Sequence, residues 1–134
     1  MANETEKLTV NLGVVELAQI DVLVNQGFYS NRSDFIRTAV RNCLENDKDK
    51  IEQQFLPVSN KKNRLNIIGI HVISKKSLEN FAKNNEMLNI NVIGMIVVDK
   101  NVGAELFKKA VEHVVIHGKL AAPDEIKDIV AQMN

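Results

Sequence analysis

The hexapeptide Lys7-Leu8-Thr9-Val10-Asn11-Leu12 decides how the chain is read. Leu8, Val10 and Leu12 alternate with Lys7, Thr9 and Asn11. Successive side chains of a strand point to opposite faces, so the spacing predicts one strand, apolar on one side and polar on the other. A lone strand of this length cannot stand by itself, because its backbone groups and its apolar face both need a partner. No second strand pattern follows within hairpin distance. The economical partner is the same strand of a second copy of the chain. Pairing gathers Lys7, Thr9 and Asn11 twice over on one face of a two-stranded ribbon, an object that fits the major groove of B-DNA.

Two helical patterns follow the strand. Gly13 permits a sharp exit. From Val14 to Gln26, Leu17, Ala18, Ile20, Leu23 and Val24 recur at close to helical spacing. Gly27 supplies the stop, and Phe28 is expected to fold back onto the core. Asn31 is a good N-cap with Asp34 three residues later, an approximate capping box. Beyond it, Phe35, Ile36, Ala39, Val40, Cys43 and Leu44 form a one-sided stripe that continues to about Glu45. Cys43 lies on that stripe and reads as a small buried hydrophobe. Free N–H groups at the helix start, near Asn31, Arg32 and Ser33, suit a phosphate.

Strand, helix, glycine turn and capped helix within residues 6–46 resemble the ribbon-helix-helix family of prokaryotic DNA-binding proteins. The matching stretches are Lys7 to Leu12 and Gly27-Phe-Tyr-Ser-Asn-Arg-Ser-Asp-Phe-Ile-Arg37. The resemblance implies an intertwined homodimer whose paired ribbon enters the major groove. It places Lys7, Thr9 and Asn11 at base-reading positions and Asn31, Arg32 and Ser33 where the helix start grips the DNA backbone.

Charge limits how that binding can work. The chain carries 17 basic and 17 acidic residues. Residues 1–46 hold four Lys or Arg against six Asp or Glu, a balance of 4 − 6 = −2. Duplex binding draws its affinity from phosphate neutralisation, so any basic footprint must be local. The start Met-Ala-Asn-Glu-Thr-Glu lacks the pattern of a signal peptide, and no apolar run approaches the roughly 20 residues of a membrane span. The single Cys43 excludes an intrachain disulfide and suits a reducing compartment, so the cytoplasm is the expected location.

Residues 47–64 read as a linker, with a short helical extension over Ile51 to Leu56 followed by a polar, turn-rich stretch around Pro57 to Asn63. Residues 65–134 contain an internal repeat. Leu65-Asn-Ile-Ile-Gly-Ile-His-Val-Ile-Ser-Lys75 aligns with Ile90-Asn-Val-Ile-Gly-Met-Ile-Val-Val-Asp-Lys100 at an offset of 25 residues. Each copy is a nearly continuous apolar run, as expected of a strand buried on both faces. Each leads into a helical pattern, Leu78, Phe81 and Ala82 in one case and Val102 to Val114 in the other, with Ser74 and Asp99 placed to cap. Gly69 and Gly94, at the same place in both runs, suggest close backbone approach or a bulge. Two strand–helix units imply a parallel sheet with right-handed crossover. Val114 to Ile116 reads as a third strand with Gly118 as a turn, and Pro123 opens a last helix bearing Ile126, Ile129, Val130 and Met133.

The expected fold is therefore α+β: an N-terminal ribbon-helix-helix over residues 1–46, then a small α/β domain over 65–134 for oligomerisation or sensing. No nucleophile–base pair or phosphate-cradling loop is visible, so no enzyme and no cofactor are expected. His113 and His117 are four apart, but Gly118 and the β-branched run before it spoil a helical metal site, and no metal ligand is assigned. The favoured function is a homodimeric, sequence-specific transcriptional regulator, a repressor, acting on double-stranded DNA with no membrane role and an unknown effector. The alternatives are an antitoxin, or an interaction or assembly module whose C-terminal half binds a partner or polymerises.

Overall fold

The computed structural model describes residues 5–55 and 63–133. The chain divides into two compact units, Met1–Glu52 and Gln53–Asn134. The division falls inside the stretch read as a linker, which is helical over part of its length.

The N-terminal unit begins with Lys7 to Leu12, and no described strand pairs with this segment. Helix α1 (Val14–Asn25) follows directly. It ends in a Schellman turn: the Gly27 N–H donates to the Val24 carbonyl, and the Phe28 N–H to that of Leu23, both at 3.0 Å. The turn needs a left-handed residue, and Gly27 adopts φ +84°. Helix α2 (Arg32–Asn46) starts at the Asn31 cap, whose side-chain oxygen accepts from the Asp34 N–H at 2.8 Å. Helix α3 (Lys48–Glu52) and a 3-10 turn (Gln53–Phe55) come next. The expected extension thus begins earlier than Ile51, and its last residue, Leu56, lies outside the described residues, as do Pro57 to Lys62.

The C-terminal unit is a three-stranded parallel sheet in the order β1-β2-β3, with β1 Arg64–Ile73, β2 Leu88–Val98 and β3 Val111–Ala121. Helices α4 (Lys75–Lys83), α5 (Ala104–Ala110) and α6 (Asp124–Met133) follow the three strands in turn. Ser74 caps α4 as expected, accepting from the Ser77 N–H at 3.3 Å. Asp99 does not cap α5; the helix begins five residues later, at Ala104, with Gly103 as its N-cap residue. Alternate strand residues, among them Ile73, Ile90, Val92, Ile96, Val98 and Val114, join Leu78, Phe107, Ile126, Ile129 and Val130 from the helices in one buried cluster. All three helices therefore cover the same face of the sheet.

Two features of β3 correct the sequence reading. The apolar pattern from Val102 to Val114 is not one helix: α5 stops at Ala110, and Val111 already lies in β3. The β-branched residues Val111, Val114, Val115 and Ile116 pack well on a pleated surface and lose rotamer freedom in a helix. Nor is Gly118 a turn. It sits inside β3, paired with Gly94, which is paired in turn with Gly69. The repeat has three copies, and its glycines form a row across the sheet with φ of +133°, +135° and +136°. A Cβ on Gly94 would stand 2.2 Å from the Gly69 carbonyl oxygen, and one on Gly118 would stand 1.8 Å from that of Gly94. Close backbone approach accounts for Gly94 and Gly118, whereas a Cβ on Gly69 would meet nothing within 4 Å and only its positive φ favours glycine there.

Candidate nucleic-acid interface

The N-terminal unit has little interior. Ile20 is its one buried large apolar residue among those described. Leu8 is 83% exposed and Val14 86%, while Val10, Val15, Val22, Ile36, Val40 and Leu44 are also open to solvent. Two expectations are corrected here. Phe28 does not fold onto a core of its own chain but is 72% exposed. Cys43 is exposed as well, on a stripe that no described element of this unit covers. That stripe and α1 instead line an open groove of about 560 Å³, with Leu12, Ile20, Leu23, Ile36, Val40 and Leu44 among its walls.

The polar side chains of the hexapeptide, Lys7, Thr9 and Asn11, are all exposed. They alternate with the exposed apolar Leu8 and Val10 and with Leu12, which reaches the groove. The segment is thus presented rather than packed. Gly13 then acts as the N-cap residue of α1, with its carbonyl accepting from the Leu17 N–H at 3.0 Å.

The start of α2 is held from several directions. The Asp34 carboxylate accepts from the Ser30 N–H at 3.0 Å while the Asn31 side chain accepts from Asp34. This is a capping box displaced by one residue. The Tyr29 ring meets that of Phe35 edge-on, with centroids 5.0 Å apart. Asn31, Arg32 and Ser33 are exposed. The N–H groups of Arg32 and Ser33 precede the first intrahelical bonds, so they belong to the donors that every helix start leaves open.

Arg32 has a partner that the sequence did not reveal. Its Nε and Nη2 donate to the two carboxylate oxygens of Asp21 on α1, both at 2.8 Å. This fork-to-carboxylate geometry suits a planar guanidinium. The bond from Arg32 holds the Asp21 carboxyl below the usual carboxylate range, and Asp21 in turn raises the Arg32 value. The two residues are 11 apart in sequence, and only the crossing of α1 and α2 brings them together.

Among the described residues no group of three or more His, Cys, Asp and Glu could hold a metal ion. His113 and His117 both lie on β3 rather than on a helix. No helix of the described residues is long and apolar enough to cross a membrane.

An exposed segment of alternating polar and apolar residues, a glycine-stopped helix and a capped second helix are the parts of a ribbon-helix-helix unit, although residues 7–12 form no strand in the single chain. The chain belongs to the Ribbon-Helix-Helix transcriptional regulator family, whose model matches residues 3–127 and so spans both units. No curated protein and no solved structure matches the chain.

Proposed function

We propose that the protein is a homodimeric, sequence-specific DNA-binding transcriptional regulator, acting as a repressor. The observation that carries this reading is the contrast at the N-terminus. Lys7 to Leu12 is exposed and forms no strand with any described residue, and α1 is apolar around much of its circumference yet buries only Ile20. A helix of that kind belongs in an interior. A second copy supplies one: its segment 7–12 pairs with the first, and its helices fill the groove lined by Ile36, Val40 and Leu44.

Within that assembly Lys7, Thr9 and Asn11 read base edges in the major groove. Asn and Thr exchange hydrogen bonds with bases, and Lys reaches guanine or phosphate. The starts of the two α2 helices hold backbone phosphates through the N–H groups of Arg32 and Ser33 and the Ser33 hydroxyl. Asn31 shapes this site by capping. Arg32 first anchors α1 to α2 through Asp21, and it meets phosphate only by exchanging one anion for another.

A mobility-shift titration of genomic fragments at two salt concentrations tests the reading. Retained, salt-weakened binding by a subset of fragments is expected. Binding to none of them, or equal binding to all, would contradict it. Asn11→Ala should lower affinity for the selected site by roughly 1–3 kcal/mol and leave random-sequence binding unchanged.

A further inference from the structure

We propose that the helix-free face of the C-terminal sheet is a self-association surface, covered by the same face of a second copy of the chain. The proposal rests on the two-copy reading of the N-terminal unit, which keeps a second C-terminal unit within reach.

All-parallel sheets are almost always covered on both faces. Here α4, α5 and α6 share one buried cluster on one face, and no described element of this unit covers the other. The strand residues that alternate with the core populate the open face: Ile68, Ile70 and Val72 on β1, Ile93, Met95 and Val97 on β2, and Val115 on β3. Ile68 is 56% exposed, whereas Ile96, on the helix side of β2, is 1% exposed. Large aliphatic side chains in register across three strands form a contiguous patch, unlike scattered surface apolar residues.

The layout of the patch selects its occupant. Its apolar centre runs along β2, the middle strand. Its polar groups are peripheral. Asn91 donates to Asn66 across β1 and β2 at 3.0 Å near one end, and His113, His117 and Lys119 lie on the edge strand β3. A twofold axis through the centre sets β2 against its own copy and stacks Ile93 and Met95 on themselves, with the polar groups left at the rim. Two sheets packed about 10 Å apart form an ordinary sandwich.

The size of the face fits a tethered contact. Three strands spaced about 4.8 Å apart, each about ten residues long at about 3.3 Å per residue, cover roughly 500 Å² per copy. The pair buries about 1,000 Å² in total, at the lower limit of a specific interface. Such a contact is weak between free units. It becomes favourable when the N-terminal halves already join the chains, because a short linkage gives an effective concentration on the order of millimolar.

The test uses full-length protein carrying Cys43→Ala, to which Met95→Cys or the control Lys127→Cys is added; Lys127 is exposed on α6. At micromolar concentration under mild oxidation, Met95→Cys should form a disulfide-linked dimer at least tenfold faster than Lys127→Cys. If Met95→Cys does not fold, Ile93→Cys tests the same point. Equal rates in a protein that light scattering shows to be dimeric would overturn this proposal alone. A monomeric protein with Cys43 intact would overturn the two-copy reading beneath it. Capture of the parent by anionic phospholipid vesicles, lost in Ile93→Lys, would assign the face to a lipid surface and also overturn the proposal.

Discussion

The N-terminal unit buries Ile20 and leaves Leu8, Val10, Val14, Val22, Val40 and Leu44 in water, whereas the C-terminal unit gathers all the other buried apolar residues into one cluster under three helices. Both segments are rich in aliphatic residues, so composition does not separate them. The difference lies in where the partners of each apolar face are encoded. In the C-terminal unit the partner of each strand is the next repeat of the same chain. In the N-terminal unit, on the proposed two-copy reading, the partner of residues 7–12 is their own copy in another chain. The C-terminal unit builds its interior from its own residues, and on the proposed reading the N-terminal unit completes its interior by association.

Substitutions should separate the two units. The largest effect is expected at the glycine row. Gly118→Ala puts a methyl group 1.8 Å from the Gly94 carbonyl oxygen at φ +136°, so the backbone has to move. Loss of about 4 kcal/mol or more is expected, seen as loss of the C-terminal unfolding transition in a denaturant titration. Gly69→Ala meets no atom within 4 Å and carries only the strain of φ +133°. It should cost about 1–3 kcal/mol. Equal costs at the two positions would show that conformation, not close approach, sets the row.

A second substitution acts on the other side of the comparison. Phe107 is 1% exposed in the C-terminal cluster, and Phe107→Ala should destabilise that unit by about 3–5 kcal/mol. Val40→Asp, on the groove of the N-terminal unit, should leave the C-terminal transition in place. It should instead halve the mass measured by light scattering and abolish DNA retention. An unchanged mass would break the assignment of the groove to a second copy.

Much of this architecture is legible in the sequence, and the parts that are not share a cause. Gly27, Asn31 and Ser74 were readable because each satisfies a backbone group only a few residues away. The parallel pairing of β1 and β2 was readable because the repeat offset of 25 residues sets their register directly. Gly118 was misread because a lone glycine after β-branched residues looks like a turn. The spacing of Gly69, Gly94 and Gly118 was the signal that a third copy was present. The Arg32–Asp21 pair left no local trace, since it depends on how α1 meets α2.

Smaller effects refine the helix start. Asn31→Ala removes the acceptor of the Asp34 N–H, and a loss of about 1 kcal/mol is expected in the thermal stability of the N-terminal unit. Asp21→Asn should change stability little, because the ion pair is exposed. It should raise DNA affinity by releasing Arg32 toward phosphate; a lower affinity would make Arg32 a positioning residue only. The Asp21 carboxyl lies below its ordinary value in the folded chain. Its contribution is therefore fully present above the unfolded carboxylate value of about 3.9 and fades as pH falls through the depressed folded value. The stabilities of the parent and Asp21→Asn should therefore converge as pH falls through that window.

The central claim is that residues 7–12 become a strand only against a second copy of themselves. Amide hydrogen exchange across that segment, measured as protein concentration is raised, tests it most directly. An antiparallel pair bonds alternate residues, so every second amide between Lys7 and Leu12 should become protected, in step with the dimer mass from light scattering. Amides from 7 to 12 that exchange at unprotected rates in a fully dimeric sample would contradict it.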